Sequence, residues 1–170
     1  MYWFAYFALL LWTATCDILS IDIGNQYFKV ALVSTGKFEI VHNLQSKRKT
    51  PTAISFKSAI RNFGDDALID SAKTPSKVAS FFRWLVGANS SVVNTKDLYL
   101  SEFAPSFEVS LDLERHSVIF GNDDYTRRSI EETVAHIIWY AKNLVEEHDT
   151  VSSGRHKIGS LKDLVLAVPS

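Results

Sequence analysis

The stretch SIEETVAHIIWYAKNLVEEH, Ser129 to His148, carries apolar residues at Ile130, Val134, Ile137, Ile138, Ala141, Leu144 and Val145. That spacing draws one stripe along a helix. Ser129 and Glu132 stand at capping-box spacing at its start. After a polar loop comes DLVLAVPS, in which Asp163 to Val168 is a short apolar run typical of a central strand covered on both faces. A one-sided helix followed by such a strand has few ways to fold. The helix must lie on a sheet, and the strand must cross back beside an earlier one.

The earlier strands are legible at the other end of the chain. Leu19, Ile21 and Ile23 alternate with Ser20 and Asp22, and Gly24-Asn25-Gln26 reads as a turn. Phe28, Val30 and Leu32 alternate with Lys29 and Ala31. A second turn at Ser34 to Lys37 leads to Phe38, Ile40 and His42. Three strands on tight turns predict an antiparallel meander. The basic run before Pro51 breaks it, and Thr52 to Phe56 reads as another strand. Phe63 to Pro75 predicts a short helix with acidic residues in its first turn. Pro75 to Gly87 predicts a second one, capped by its glycine. FEVSLDLE and SVIFG predict a hairpin. The sum is an α/β chain, a mixed sheet with flanking helices. Its last strand arrives without a closing element, as expected of the first part of a larger fold.

The chain has 170 residues, 46% apolar and 22% charged, with a net charge of -1. It can bury a real core. Its charge gives no pull toward nucleic acid. Residues 1–16 are uncharged apart from the terminus and almost wholly apolar from Tyr2 to Trp12. That run is too short to cross a membrane. It fits a signal peptide cleaved before Asp17, although the usual basic start is missing. The single cysteine, Cys16, would leave with it, so the remainder has no thiol for disulfides or metal. The triplet at Asn89 to Ser91 is a glycosylation acceptor pattern, expected on an exported chain.

Chemistry concentrates in the first turn. A glycine there lets backbone N–H groups approach an anion. Asn25 and Gln26 add amide donors. A carboxylate such as Asp22 beside a phosphate is repulsive unless a cation lies between, so its expected role is to hold Mg²⁺ on a nucleotide. By itself the pattern also fits an ordinary hairpin.

The ordered set IDIGNQYFKVALV, KRKTP, FGDDA, RWLVG, the long helix and DLVLAVP resembles the N-terminal part of the ATPase domain of the seventy-kilodalton heat-shock chaperone family. That pattern reads IDLGTTYS, R-T-T-P, GDAA, KRLIG and VVTVPA. The resemblance covers the chain after its leader. It implies an actin-like ATPase (ribonuclease H-like) fold, with residues 17–170 forming the first lobe of the nucleotide-binding domain. It also implies ATP or ADP with Mg²⁺ as ligand. On it, Asp22, Gly24, Asn25, Gln26 and Tyr27 lie on the first phosphate loop. The family's two loop threonines are replaced by Asn25 and Gln26, and its catalytic lysine by Arg83. An arginine is a planar fork and not a point donor, so the implied activity is a weak ATPase at most. The leader and KRKTP bring the chain nearest to the large glucose-regulated branch of the endoplasmic reticulum. Members of that branch hold unfolded polypeptides and promote nucleotide exchange on the lumenal seventy-kilodalton chaperone, with no nucleic acid and no stable membrane anchor.

Other signals are plainer. His42, His116, His136, His148 and His156 lack ligand spacing. No serine has a histidine and an acid in a nucleophile arrangement. Lys47 to Lys49 read as a solvated loop, or as a segment that steers a phosphate or meets a partner. Two other functions remain open on the sequence: an actin-fold metabolite kinase and a nucleotide-free interaction module.

Overall fold

The structure is a computed structural model that describes residues 17–34, 37–88, 107, 109–121, 127–152, 161 and 163–167. The expected signal peptide and Asn89 lie outside the described residues. The main sheet contains β1 (Ile18–Ile23), β2 (Tyr27–Ser34), β3 (Lys37–Val41), β4 (Thr50–Pro51) and β11 (Asp163–Ala167). Its order is β11-β1-β2-β3, with β4 also paired to β2. The β1–β2–β3 meander is antiparallel, and β11 returns parallel to β1 with Leu19 beside Leu164. The mixed sheet and the crossover are therefore as the sequence predicts.

Two smaller sheets complete the chain. One has the order β6-β5-β7, made of β6 (Asn62–Phe63), β5 (Ala53–Ser55) and β7 (Val78–Ser80), with helix α1 (Gly64–Lys73) against it. Asp65 and Asp66 occupy the first turn of α1, where the helix dipole favours them. The other sheet contains the predicted hairpin, β8 (Val109–Asp112) and β9 (Ser117–Phe120), with β10 (Arg128–Ser129) beside it.

Helix α2 (Ile130–Ser152) follows. Its start is the expected capping box: the Ser129 N–H donates to Glu132 Oε2 at 3.0 Å, and the Glu132 N–H donates to Ser129 Oγ at 3.1 Å. Its stripe meets the inward residues of the main sheet. Ile21, Phe28, Val30, Ile137, Ala141 and Val145 share one core with Phe82, Leu85 and Phe120. Tyr140 joins them, edge-on to Phe28 at 6.1 Å and stacked on Phe63 at 4.4 Å.

Two expectations need correction. Pro75 to Gly87 is not a helix. It contains a 3₁₀ turn at Pro75–Lys77, strand β7 and a second 3₁₀ turn at Arg83–Leu85. Val78, Phe82 and Leu85 have helical spacing, but Val78 to Ser80 are buried and pair with β5. Burial on both faces outweighs the helical pattern. Gly87 does close the segment, at φ 73°. The second correction concerns β11. It is exposed along its whole length, with Val165 at 53%, because α2 packs across β1 and β3 while β11 forms the edge of the described sheet.

Burial, with Asp66 and Glu147 nearby, pushes the Tyr140 phenol up to about 12. The neutral ring is favoured in the fold, so the unfolded chain ionises first. Stability is then full below pH ~10 and falls as pH rises toward 12. Denaturation followed across that range should show the loss, and Tyr140→Phe should flatten it. Removing core volume with Ile137→Ala should cost about 2–5 kcal/mol in urea unfolding.

Candidate functional site

Between β1 and β2 the chain reverses over Gly24-Asn25-Gln26. The Gly24 N–H donates to the Tyr27 carbonyl at 3.0 Å and closes the turn. A Cβ on Gly24 would stand 2.7 Å from that same oxygen, closer than side chains tolerate. The hairpin itself therefore demands glycine, before any anion approaches.

Thr52 holds this turn from the side. It is fully buried. Its Oγ1 donates to the Gly24 carbonyl at 2.9 Å. Its N–H donates to the Gln26 carbonyl at 2.9 Å, and its own carbonyl accepts the Phe81 N–H at 2.9 Å. With both flanking carbonyls tied down, the Asn25 and Gln26 N–H groups donate to no backbone carbonyl among the described residues. Two such donors on a fixed bend are the kind of backbone groups that can meet an anion.

The third bond brings Arg83 into the same neighbourhood. Phe81 is held at φ 55°, a left-handed backbone that costs a non-glycine residue about 1–2 kcal/mol. Two residues on, half-buried Arg83 opens the second 3₁₀ turn. Thr52 thus links the phosphate-loop candidates to Arg83 through main chain. No sequence pattern singled out Thr52. The only signal was a hydroxyl residue wedged between Pro51 and an apolar strand.

The other candidates fall as follows. Asp22 lies on the outward face of β1, opposite Lys29 in register, and its Oδ2 is 3.6 Å from Lys29 Nζ. Both side chains are about half exposed, so this pair contributes little to stability. Asp22 is one exposed carboxylate beside the turn, and one carboxylate is a usual protein share for Mg²⁺ held mainly by phosphates and water. Asn25 is half-buried, and its Oδ1 is buried without a hydrogen-bond partner among the described residues. What a buried carbonyl oxygen lacks is a donor, such as a hydroxyl or a water on a cation; leaving it unmet costs about 1–3 kcal/mol. The turn so fits an anion at its amides and a hydrated cation at Asn25 and Asp22. Among the described residues no group of three His, Cys, Asp or Glu could hold a metal without such help. Tyr27 is 41% exposed, and Lys49 Nζ lies 4.3 Å from its ring centre.

A cleft of about 710 Å³ lies elsewhere, between the β8–β9 hairpin and α2. It is lined by Arg115, Arg127, Arg128, His136 and Trp139 among others. Half-buried His136 sits edge-on to Phe56 at 5.8 Å, and burial with Arg61 and Arg128 nearby holds it below the usual histidine range. It is a core-edge residue.

The family model described as Hsp70 protein matches residues 18–169. The chain is 35% identical over 159 residues to Hypoxia up-regulated protein 1 of Gallus gallus, covering 93% of this chain and 15% of that protein. It is 32% identical over 162 residues to the Homo sapiens protein of that name, covering 95% and 15%. With the Xenopus laevis protein it shares 31% over 170 residues, covering 99% and 25%. The chain thus spans a quarter or less of these relatives. The mixed sheet with its flanking helices accordingly has the actin-like ATPase fold.

Thr52→Val keeps the shape and deletes the bond to Gly24. It should cost about 1–2 kcal/mol in urea unfolding. Gly24→Ala forces the turn open against the Tyr27 carbonyl and should cost about 1–3 kcal/mol. If both variants match the parent, the turn is not held as described.

Proposed function

This chain belongs to the Hsp70 protein family, and on that footing we propose that it is the first lobe of a nucleotide-binding domain in a chaperone of the endoplasmic-reticulum lumen. The observation that carries the reading is the turn fixed by Thr52, with the Asn25 and Gln26 amides left for a phosphate. The proposed ligand is ATP or ADP with Mg²⁺. The apolar leader of residues 1–16 and the acceptor triplet at Asn89 support a lumenal location. No helix among the described residues is long and apolar enough to cross a membrane.

The residues divide the work by their chemistry. The turn amides bind phosphate oxygens. Asp22 and Asn25 orient water on the cation, and Arg83 offsets phosphate charge. Bound nucleotide supplies a phosphate chain whose length distinguishes two states of the lobes. Arg83 lacks the compact ammonium of the family's lysine, so the proposed activity is nucleotide binding with slow hydrolysis. The output is lobe closure that sets affinity for unfolded polypeptides and for the lumenal seventy-kilodalton chaperone, on which this protein promotes nucleotide exchange.

Calorimetry on the full-length protein should give ATP and ADP binding that strengthens with Mg²⁺. Asp22→Ala should weaken the Mg²⁺-dependent part by about tenfold and, by removing a negative charge beside the phosphates, leave Mg²⁺-free binding no weaker than in the parent. The protein should also speed release of labelled ADP from that lumenal partner chaperone. Absence of any ATP or ADP binding would overturn the reading in favour of a nucleotide-free interaction module.

A further inference from the structure

Two of the three basic residues before β4, Lys47 and Lys49, differ in what holds them. The Lys47 ammonium is bonded to Asp65 at 3.0 Å. Lys49 has no carboxylate within ion-pair distance among the described residues; its ammonium rests on the face of Tyr27, 4.3 Å from the ring centre. Tyr27 is the residue that closes the glycine turn. We propose that Lys49 is a phosphate-reading residue, which moves from the Tyr27 ring to the phosphate chain and makes affinity rise with nucleotide charge. This rests on the nucleotide-binding reading above.

The register explains the placement. β4 pairs Thr50 with Phe28 and Pro51 with Tyr27. Lys49 and Lys29 each stand one residue beyond the last of these pairs, Thr50 with Phe28. Like charges so placed repel and each seeks relief. Lys29 finds it in Asp22 at 3.6 Å. Lys49 has only a ring quadrupole, which holds an exposed ammonium less firmly than a polyphosphate with several charges does. With Lys29 paired to Asp22, Lys49 keeps a charge that meets no carboxylate among the described residues. Its flexible stem lets the ammonium swing without moving the strand.

The sequence sharpens the point. Where the family pattern has R-T-T-P, this chain has Arg48-Lys49-Thr50-Pro51. Where that pattern has its lysine, this chain has Arg83. Arg83 offers a planar fork where that pattern has a compact ammonium, and Lys49 supplies a mobile point charge that Arg83 does not.

The test compares adenosine, ADP and ATP binding to the full-length protein by calorimetry, for the parent, Lys49→Gln and Lys49→Arg. Lys49→Gln should weaken ATP by about three- to tenfold, weaken ADP less and leave adenosine unchanged. Lys49→Arg should stay within about twofold of the parent for ATP. Added salt should erode the ATP advantage over adenosine in the parent more than in Lys49→Gln. Adenosine binding also reports that the variant is folded. If Lys49→Gln binds ATP like the parent, or loses all three ligands equally, the charge-reading role is wrong while the nucleotide reading stands. If the parent binds neither ATP nor ADP, the nucleotide reading fails as well.

Discussion

Three hydrogen bonds meet at Thr52: its hydroxyl to the Gly24 carbonyl, its N–H to the Gln26 carbonyl, and the Phe81 N–H to its own carbonyl. A fully buried hydroxyl must find a partner or cost the fold the desolvation of its oxygen. Here the partner is a turn that would otherwise be a loose hairpin tip. The same residue joins the main sheet to the β6–β5–β7 sheet, so the bend cannot drift without disturbing both. Rigidity is what a phosphate site requires, because donors already in place need no reordering when the anion arrives.

Behind the turn lies a core that fixes the strands. Phe28 follows the turn directly and is fully buried against Tyr140. Ile21 and Ile23 precede it and point the same way. The turn therefore rises from two strands whose inward faces are locked under α2. The capping box at Ser129 and Glu132 starts that helix next to β10, and the Glu131 carboxylate accepts the Gly87 N–H at 3.4 Å. Helix, second 3₁₀ turn and Arg83 are thus packed as one unit with the sheet.

Much of this was legible in the residues. Period-two alternation revealed β1 and β2, because each has one wet and one dry face. The hairpin at β8 and β9 was read from its two apolar segments, and its burial does not alternate. The stripe on α2 and the apolar run of β11 gave the crossover. The segment after Pro75 misled for a physical reason: a short strand buried on both faces carries no alternation, and Val78, Phe82 and Leu85 happened to mimic a helix. Within the site, Gly24 was recognised for its missing Cβ, but the Tyr27 carbonyl that needs the space became visible only in three dimensions. Thr52 was hidden because it acts through residues far off in sequence. Lys47 to Lys49 were legible as a phosphate-steering or solvated run, and only the fold separates Lys47, bonded to Asp65, from Lys49 on the Tyr27 ring. The outward aim of Asp22 toward Lys29 follows from register, which alternation alone does not specify.

The central claim is that the Asn25 and Gln26 amides of a Thr52-held turn receive the phosphates. Amide resonances of the full-length protein, followed as ADP is added with Mg²⁺, test it most directly. The account expects the Asn25 and Gln26 N–H signals to shift downfield and exchange more slowly with solvent, while Gly24, already bonded to Tyr27, changes little. Saturating nucleotide that leaves Asn25 and Gln26 unmoved would contradict it.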